Sequence, residues 1–378
     1  MPVPTPTLKQ RKYERILDHL YAEIFSGRVA PGDALPTEAE LSESLGSSRG
    51  TIRHALDKLE QDGVIYRVQG RGTFVSTEQK RQSRQQLDVF ALIAPELREG
   101  FYPSLVHGFE QTSATIRHQV LVASSGNETA RQGDLILQMI DRCVGGVALV
   151  PTTSDVTPVY QIRQLQQHQI PVVFCHRTVE GASAPCITWS GREVGRKAGI
   201  ALAEQGHRRV GFLVKRRTTL ADDYESGLRC ALGEIDPAGG RIETIEYPPH
   251  IEQLPPGQSV PLAAASKQAL NDVLSRPDRP TAIFCGNLPD AEAVYLQAEL
   301  LGLKIPSELS VVAFGGTWRP HGLAERISCI AVDEHAVGAK AVEVLNEMRN
   351  GKRPLESDER IEFPVTLVPG ETIGPARG

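Results

Sequence analysis

Seven short runs dominate the long carboxyl-terminal part of the chain: D-V-F-A-L-I-A-P, Q-V-L-V-A-S-S, G-G-V-A-L-V-P, I-P-V-V-F-C-H, R-V-G-F-L-V, T-A-I-F-C-G-N and S-V-V-A-F-G-G. Each is apolar at consecutive rather than alternate positions, so a strand formed from it must be buried on both faces. Helix-length segments separate the runs, which predicts parallel sheets covered by helices on both sides. At roughly 280 residues this region exceeds what one such sheet needs, and two lobes are expected.

The first part of the chain follows a different period. Between Lys9 and Ser26, Tyr13, Ile16, Leu17, Leu20 and Ile24 recur at three- and four-residue spacing, one buried helical face, with Gly27 as a stop. In T-E-A-E, Thr37 caps a second helix and Glu40 reciprocates as a capping box, with Leu41 and Leu45 facing inward and Gly46 ending it. Ser48 caps a third helix whose buried stripe is Ile52, Ala55, Leu56 and Leu59, and Gly63 stops it. The second and third helices are joined only by L-G-S-S, the short glycine-containing connection of a helix-turn-helix. The third helix is therefore the one suited to a DNA major groove. Gly50, Arg53 and His54 point away from its buried stripe, and Arg49 and Thr51 flank that outward face. An arginine fork can read guanine, and the free N–H groups of a helix start favour a phosphate oxygen.

Val64–Val68 and Thr73–Val75 are β-rich runs around Q-G-R-G, so a hairpin follows the third helix. A dinucleotide-binding loop would need a third glycine where Val75 stands, with a helix directly after it; here a strand follows instead. The hairpin reads as a wing. Next, S-T-E-Q-K-R-Q-S-R-Q-Q, residues 76–86, is polar and basic and reads as a linker. Residues 1–86 hold 13 Lys/Arg against 11 Asp/Glu, whereas the rest holds 28 against 35, so a slightly basic module precedes an acidic body.

The run L-P-T-E-A-E-L-S-E-S-L-G-S-S-R-G-T-I-R-H-A-L-D-K-L-E-Q-D-G-V-I-Y-R-V-Q-G-R-G-T-F-V closely resembles the winged-helix DNA-binding domain of the GntR family of bacterial transcription regulators, across about residues 8–77. The resemblance implies operator contacts from the start of the second helix, the recognition helix and the wing tip. By position these are Glu38, Ser48, Arg49, Thr51, Arg53, Gly70, Arg71 and Gly72; His54 joins them as a DNA-binding candidate from its place on the outward face. Ala39 departs from the pattern, standing where many relatives have an arginine.

The segments P-S-L-V-H-G-F-E, I-P-V-V-F-C-H-R, G-R-E-V-G-R-K-A-G-I-A-L-A-E-Q-G-H-R-R-V-G-F-L, P-T-A-I-F-C-G-N and G-L-K-I-P-S-E-L-S-V-V-A-F-G-G resemble the sensor domain of LacI-type repressors, itself similar to periplasmic sugar-binding proteins, over about residues 87–370. The combination resembles the arabinose-responsive branch of GntR regulators. It implies an α+β winged helix-turn-helix (residues 1–77), a linker (78–87) and an α/β two-lobed periplasmic-binding-protein-like domain with parallel sheets (88–378). It further implies a homodimer on a pseudo-palindromic double-stranded operator, and a small-molecule effector of carbohydrate type between the lobes.

Open parallel sheets bind ligands beyond the carboxyl ends of their strands. The residues there are Tyr102, Ser125, His176, Arg177, Trp189, Ser190, Tyr224, Asn287, Asp290 and Trp318. Arg177 ranks first: the resemblance places it where relatives aim an arginine at ligand hydroxyls, and its fork suits a hydroxyl pair or a carboxylate. Three departures from sugar-binding relatives stand out. Gly315 replaces an acidic residue, Tyr224 an arginine, and Asn287-Leu288 an Asn-Asp pair, which weakens the case for a common free sugar. Trp189, Tyr224 and Trp318 offer stacking surfaces for a sugar ring or an aromatic ligand.

Other classes find little support in the residues. No apolar run approaches the ~18 residues of a membrane span, and the amino terminus lacks an apolar signal segment. The six cysteines form no C-x-x-C and mostly lie in apolar runs, so a cytoplasmic protein without structural disulfides is expected. There is no G-x-S-x-G elbow, Walker loop, H-E-x-x-H pair or histidine cluster, and no setting for a pyridoxal phosphate lysine. No enzyme, cofactor or metal is therefore expected. A sensor without ligand that serves only dimerisation, and an enzyme fused to a GntR-type head, stay as alternatives.

Overall fold

The computed structural model describes residues 16–377 except 18, 22, 25–27, 31, 62–63, 69–70, 77–86, 98–100, 154–157, 215–216, 236–239, 247–263 and 320. The chain divides into two units, Met1–Gln85 and Gln86–Gly378. The amino-terminal part of the first expected helix, with Tyr13 and Gly27, the stop Gly63, and most of the linker lie outside the described residues.

In the first unit the described positions among residues 16–24 are helical and bury Ile16, Leu20, Tyr21 and Ile24. Two helices follow, α1 (Glu38–Ser44) and α2 (Arg49–Gln61), then the antiparallel strands β1 (Ile65–Val68) and β2 (Gly72–Val75). The capping box is formed: the Thr37 hydroxyl accepts the Glu40 N–H at 3.3 Å, and the Glu40 carboxylate accepts the Thr37 N–H at 2.7 Å. Ser48 Oγ accepts the Thr51 N–H at 3.3 Å at the start of α2. Ile52, Ala55, Leu56 and Leu59 are almost fully buried, as their spacing requires.

The second unit holds two six-stranded sheets. The N lobe has the order β13-β7-β6-β5-β3-β4 and the C lobe β14-β12-β11-β10-β8-β9. The N-lobe strands are β3 (Val89–Ala94), β4 (Gln119–Ser124), β5 (Gly146–Leu149), β6 (Val172–Cys175), β7 (Cys186–Thr188) and β13 (Arg360–Glu362). The C-lobe strands are β8 (Arg209–Val214), β9 (Arg241–Glu246), β10 (Ala282–Cys285), β11 (Ser310–Gly316), β12 (Ser328–Val332) and β14 (Val365–Val368). All pairings in these two sheets are parallel except β12 with β14. All seven doubly apolar runs are strands. The sequence reading missed β7, β9 and β12 to β14, most of which are short or carry charged residues such as Arg241, Glu243 and Arg360.

The helices between these strands are α3 (Tyr102–Thr115), α4 (Thr129–Asp141), α5 (Val159–Gln167), α6 (Gly191–Glu204), α7 (Thr219–Ile235), α8 (Ala264–Leu274), α9 (Leu288–Leu300), α10 (Leu323–Arg326) and α11 (Glu334–Arg349). The chain passes between lobes after β7, after β12 and between β13 and β14. Each of the first two crossings delivers a helix to the other lobe. Helix α6, leaving the N lobe, packs on α7 and against β11, β12 and β14; helix α11, leaving the C lobe, packs on α3 and against β5, β6 and β7.

Glycines let these helix pairs touch backbone to backbone. A Cβ on Gly195 would fall 1.9 Å from the Tyr224 carbonyl oxygen, and one on Gly227 would fall 1.9 Å from that of Arg192. In the other lobe, Gly108 and Gly338 meet the carbonyls of His335 and Leu105 at 2.0 and 2.1 Å in the same sense. A single apolar core, including Phe90, Val150, Trp189, Phe284 and Phe314, consequently runs through both lobes.

Gly195→Ala should destabilise the sensor by on the order of 3 kcal/mol, because rigid carbonyls must move apart to admit the methyl group. Gly233, also in α7 but with nothing within 4 Å of its Cβ position, should instead gain up to about 1 kcal/mol as alanine through helix propensity. Urea unfolding followed by tryptophan fluorescence checks both, since Trp189 and Trp318 both lie in the second unit.

Candidate functional site

The outward face of α2 carries Arg49, Gly50, Arg53 and His54, all exposed, with Thr51 half-buried. Arg49 makes no ion pair among the described residues. Arg53 does: its Nε lies 3.2 Å from both oxygens of the Glu38 carboxylate, and its second terminal nitrogen donates to Glu38 at 2.9 Å. This bidentate bond holds the Glu38 carboxyl below its usual range. It leaves three of the five guanidinium N–H groups free and fixes the plane in which they point. Ser48 is exposed, with its hydroxyl 2.8 Å from that of Thr51. Two of the residues expected to meet DNA thus already form one bonded unit.

At the wing, Arg71 is exposed and its N–H donates to the Val68 carbonyl at 3.0 Å; Gly72 has φ +117°, a conformation that favours glycine. Gly70 lies outside the described residues. The sequence reading missed two features that fix the wing. The Arg67 side chain, leaving β1, bonds Asp57 at 2.6 Å and Glu60 at 3.0 Å on α2. Residues 32–35 run along β2, with Leu35 N–H donating to the Thr73 carbonyl at 2.8 Å and Val75 N–H to that of Asp33 at 2.9 Å. Arg67 could have been suspected from the i, i+3 acid pair on α2; the added edge has only two apolar residues, Ala34 and Leu35, and gave no β signal.

In the sensor, five of the ten ligand candidates converge. His176 and Trp189 stack nearly parallel, 4.2 Å between centroids. Phe101 touches both Tyr102 (5.8 Å) and Trp189 (5.2 Å). From the C lobe Phe314 reaches Trp189 (5.7 Å) and Tyr224 (5.7 Å). Arg177 bears electrostatically on Tyr102 and Tyr224 from within the same group. Aromatic side chains of both lobes therefore meet at the carboxyl ends of β6, β7 and β11, with Arg177 close enough to bear on two of them. The backbone at His176 is held at φ +81°, unusual for a side chain with a Cβ. Its N–H donates to the Ile187 carbonyl at 2.6 Å while its own carbonyl accepts the Thr188 hydroxyl at 2.6 Å. Such local strain concentrates at functional positions. Phe101 and Phe314 were not anticipated, although Phe101 directly neighbours Tyr102.

The other five have local roles or stand apart. Ser190 is the N-cap of α6, accepting the Glu193 N–H at 3.1 Å. Asn287 caps α9 through the Asp290 N–H at 2.9 Å and also donates to the Asp290 carboxylate at 2.7 Å, so these two side chains hold each other. Ser125 follows β4 with its Oγ buried and without a hydrogen-bond partner. Trp318 is 54% exposed and joins no ring contact in the group. Its N–H, with that of Thr317, is bound by the fully buried Glu334 at 3.0 and 2.7 Å. Glu334 also escaped the sequence reading, because an acid in the first turn of a helix is unremarkable. It occupies the space a Cβ on Gly316 would need, 2.3 Å from its carboxyl. An open cavity of about 710 Å³ beside Gln169, Pro171, Arg349 and Lys352 lies at the opposite, amino-terminal end of β6 and contains none of the candidates.

A capped recognition helix with a wing, followed by a two-lobed parallel α/β body whose lobes meet over an arginine, defines a DNA-binding protein with a ligand sensor. Residues 12–75 match the bacterial regulatory proteins of the gntR family, and residues 201–373 match the periplasmic binding protein-like domain. The head is a gntR-family domain and the body a periplasmic-binding-protein-like sensor. The chain is 27% identical to the arabinose metabolism transcriptional repressor of Geobacillus stearothermophilus, covering 96% of this chain and 97% of that protein. Over 78 residues it is 42% identical to the transcriptional repressor NagR of Bacillus subtilis, 21% of this chain and 32% of that one. Among solved structures it is similar to the transcriptional regulator CelR in complex with cellobiose (TM-score 0.62, 16% identity, 89% of this chain and all of that one). It is likewise similar to a LacI-type regulator from Alkaliphilus metalliredigens in complex with D-xylulofuranose (TM-score 0.60, 16% identity, 76% and 99%).

Burial, with Arg177 beside it, pushes the His176 pKa well below the ordinary histidine value, and burial lowers that of His207, which is bonded to Thr281, Ser310 and Gly374. Both are neutral in the folded state while the unfolded chain takes up protons below about pH 6.5. Stability is thus fully present above that pH and should fall as the pH drops from 6.5 towards 5. Urea midpoints at pH 8, 7, 6 and 5 measure this; a midpoint unchanged across the series would refute the neutral assignment.

Proposed function

We propose that this chain is a transcriptional repressor that binds double-stranded operator DNA as a homodimer in the cytoplasm, under the control of a carbohydrate-derived effector held between the sensor lobes. The observation that carries the DNA reading is the exposed start of α2, where Arg49 and the Glu38-oriented Arg53 stand one turn apart on one side, with Thr51 at the other edge of the outward face. A fork held in one plane can bond a guanine edge without first losing rotamer freedom, and Ser48 and Arg49 lie where helix-start N–H groups attract phosphate. Arg71 and Gly72 suit a backbone or minor-groove contact from the wing.

For the effector, the aromatic group around Arg177 supplies faces for a sugar ring. The named subjects of the similar proteins, arabinose metabolism, cellobiose and D-xylulofuranose, are carbohydrates. Tyr102, His176, Arg177, Trp189 and Tyr224 are the contacts proposed; Ser125, at the end of the edge strand β4 of the same sheet, is a further candidate. Dimerisation is supported by α9, which exposes Leu296 (55%) and Leu300 (78%) one turn apart on one face. Two heads related by a dyad suit a pseudo-palindromic operator.

The test begins with selection of binding sites from random DNA by the full chain, followed by anisotropy titrations. Arg53→Ala should lose about 1–3 kcal/mol of specific affinity and relax preference at one base pair of each half-site. Arg71→Ala should weaken all sequences alike and reduce the salt slope by about one. Wild-type affinity in the Arg53 variant would overturn the assignment of α2. Leu300→Glu should shift sedimentation towards the monomer and lower operator affinity with it.

A further inference from the structure

We infer that the effector carries a negatively charged group, a carboxylate or a phosphate, that pairs with Arg177; this rests on the reading of the second unit as a ligand sensor. Arg177 stands two residues past β6, its Nε buried and without a hydrogen-bond partner, and it forms no ion pair among the described residues. A guanidinium cannot shed its proton. The groups that bear on its charge are Tyr102, Tyr224 and Cys186, with no carboxylate among them. Burial raises the pKa of all three, that of Cys186 to about 12, so they stay neutral. The adjacent His176 is neutral as well.

Three of the described acids near the lobe junction are engaged elsewhere, and Asp223, which bears on Tyr224, is exposed. Glu334 is spent on Thr317 and Trp318, Asp290 on Asn287, and Glu96, which bears on Tyr102, accepts the Leu97 N–H at 2.7 Å. Gly315, at the end of β11, supplies no side chain, and a Cβ there would come within 2.9 Å of Cys329 Sγ. Among the described residues this half-buried cation is therefore left without a counter-charge. A buried charge without a partner costs free energy, and a paired anion relieves that cost. A neutral polyol offers hydroxyl acceptors but leaves the charge uncompensated. A carboxylate or phosphate accepts two parallel N–H bonds from the fork and cancels the charge, and the phenols of Tyr102 and Tyr224 are further donors.

The probes are inorganic phosphate and acetate, titrated into the full chain at constant ionic strength against chloride, with thermal unfolding read by tryptophan fluorescence. The wild type should gain Tm with at least one of them and Arg177→Met should not; Arg177→Lys should respond in part. Equal gains in wild type and Arg177→Met, or none in the wild type, would overturn the inference. In buffer without either probe Arg177→Met should melt at or above the wild-type temperature, because it removes an uncompensated charge; a fall of several degrees there would mark Arg177 as structural and also overturn it. Calorimetry with D-glucose, D-gluconate and D-glucose 6-phosphate separates the two sources. One anionic member should bind at least about tenfold more tightly than glucose, whereas glucose binding as tightly as both would refute the assignment. Operator affinity of the wild type is measured alongside: if DNA binding fails while the anion response persists, the repressor reading falls and this inference stands, and the reverse pattern separates them the other way.

Discussion

The sensor depends on backbone contact between helices that have changed lobes. Helix α6 starts from the N lobe and is held in the C lobe by Gly195 and Gly227; α11 makes the reverse journey and is held by Gly108 and Gly338. Each notch works only because neither partner has a Cβ at the crossing, which lets helices approach to within carbonyl contact. With both crossings locked in this manner, each lobe contains a structural member that is continuous with the other. The junction between them, where Trp189 sits immediately before α6, is therefore a fixed reference point rather than a loose tether.

Around that junction the chemistry is unusual for its depth. Rings from both lobes pack stacked or tilted against Trp189, and the backbone at His176 is bent into a left-handed conformation and bonded there on both sides. The one formal charge in this group is Arg177. Electrostatics and shape thus act in different directions: the apolar walls favour any flat surface, whereas the charge discriminates sharply. On the effector reading proposed above, such a site would take affinity from stacking and selectivity from a single fork.

The sequence carried the fold well where its signals were local. The capping box at Thr37 and Glu40, the buried stripe from Ile52 to Leu59 and the seven doubly apolar strands all rest on spacing within a few residues, and each is present in the structure. Strands β9 and β13 were illegible because partial exposure lets charged residues into them, and β7 because Cys186–Thr188 is only three residues long. At the candidate site, position after a strand picked out Tyr102, His176, Arg177 and Trp189, which the structure brings together, and also Ser190, Asn287 and Asp290, which it does not. Their polar groups are occupied in capping helices, and strand-end position cannot distinguish a capping polar residue from a waiting one. Glu38 and Arg53 were each placed on the outward face, yet their bond spans fifteen residues and no local pattern reports it. The same holds for Glu334, whose partners Thr317 and Trp318 come from another strand end.

Arg67 has a consequence for how control can be exerted. It ties β1 to Asp57 and Glu60 of α2, while residues 32–35 bind the far side of β2 to the segment leading into α1. Recognition helix and wing are therefore parts of one braced body, and the distance between the base-reading face and the wing tip is set inside the head. In the homodimer proposed above, a signal from the sensor would therefore act on the spacing of two such heads along the DNA rather than on the geometry within one.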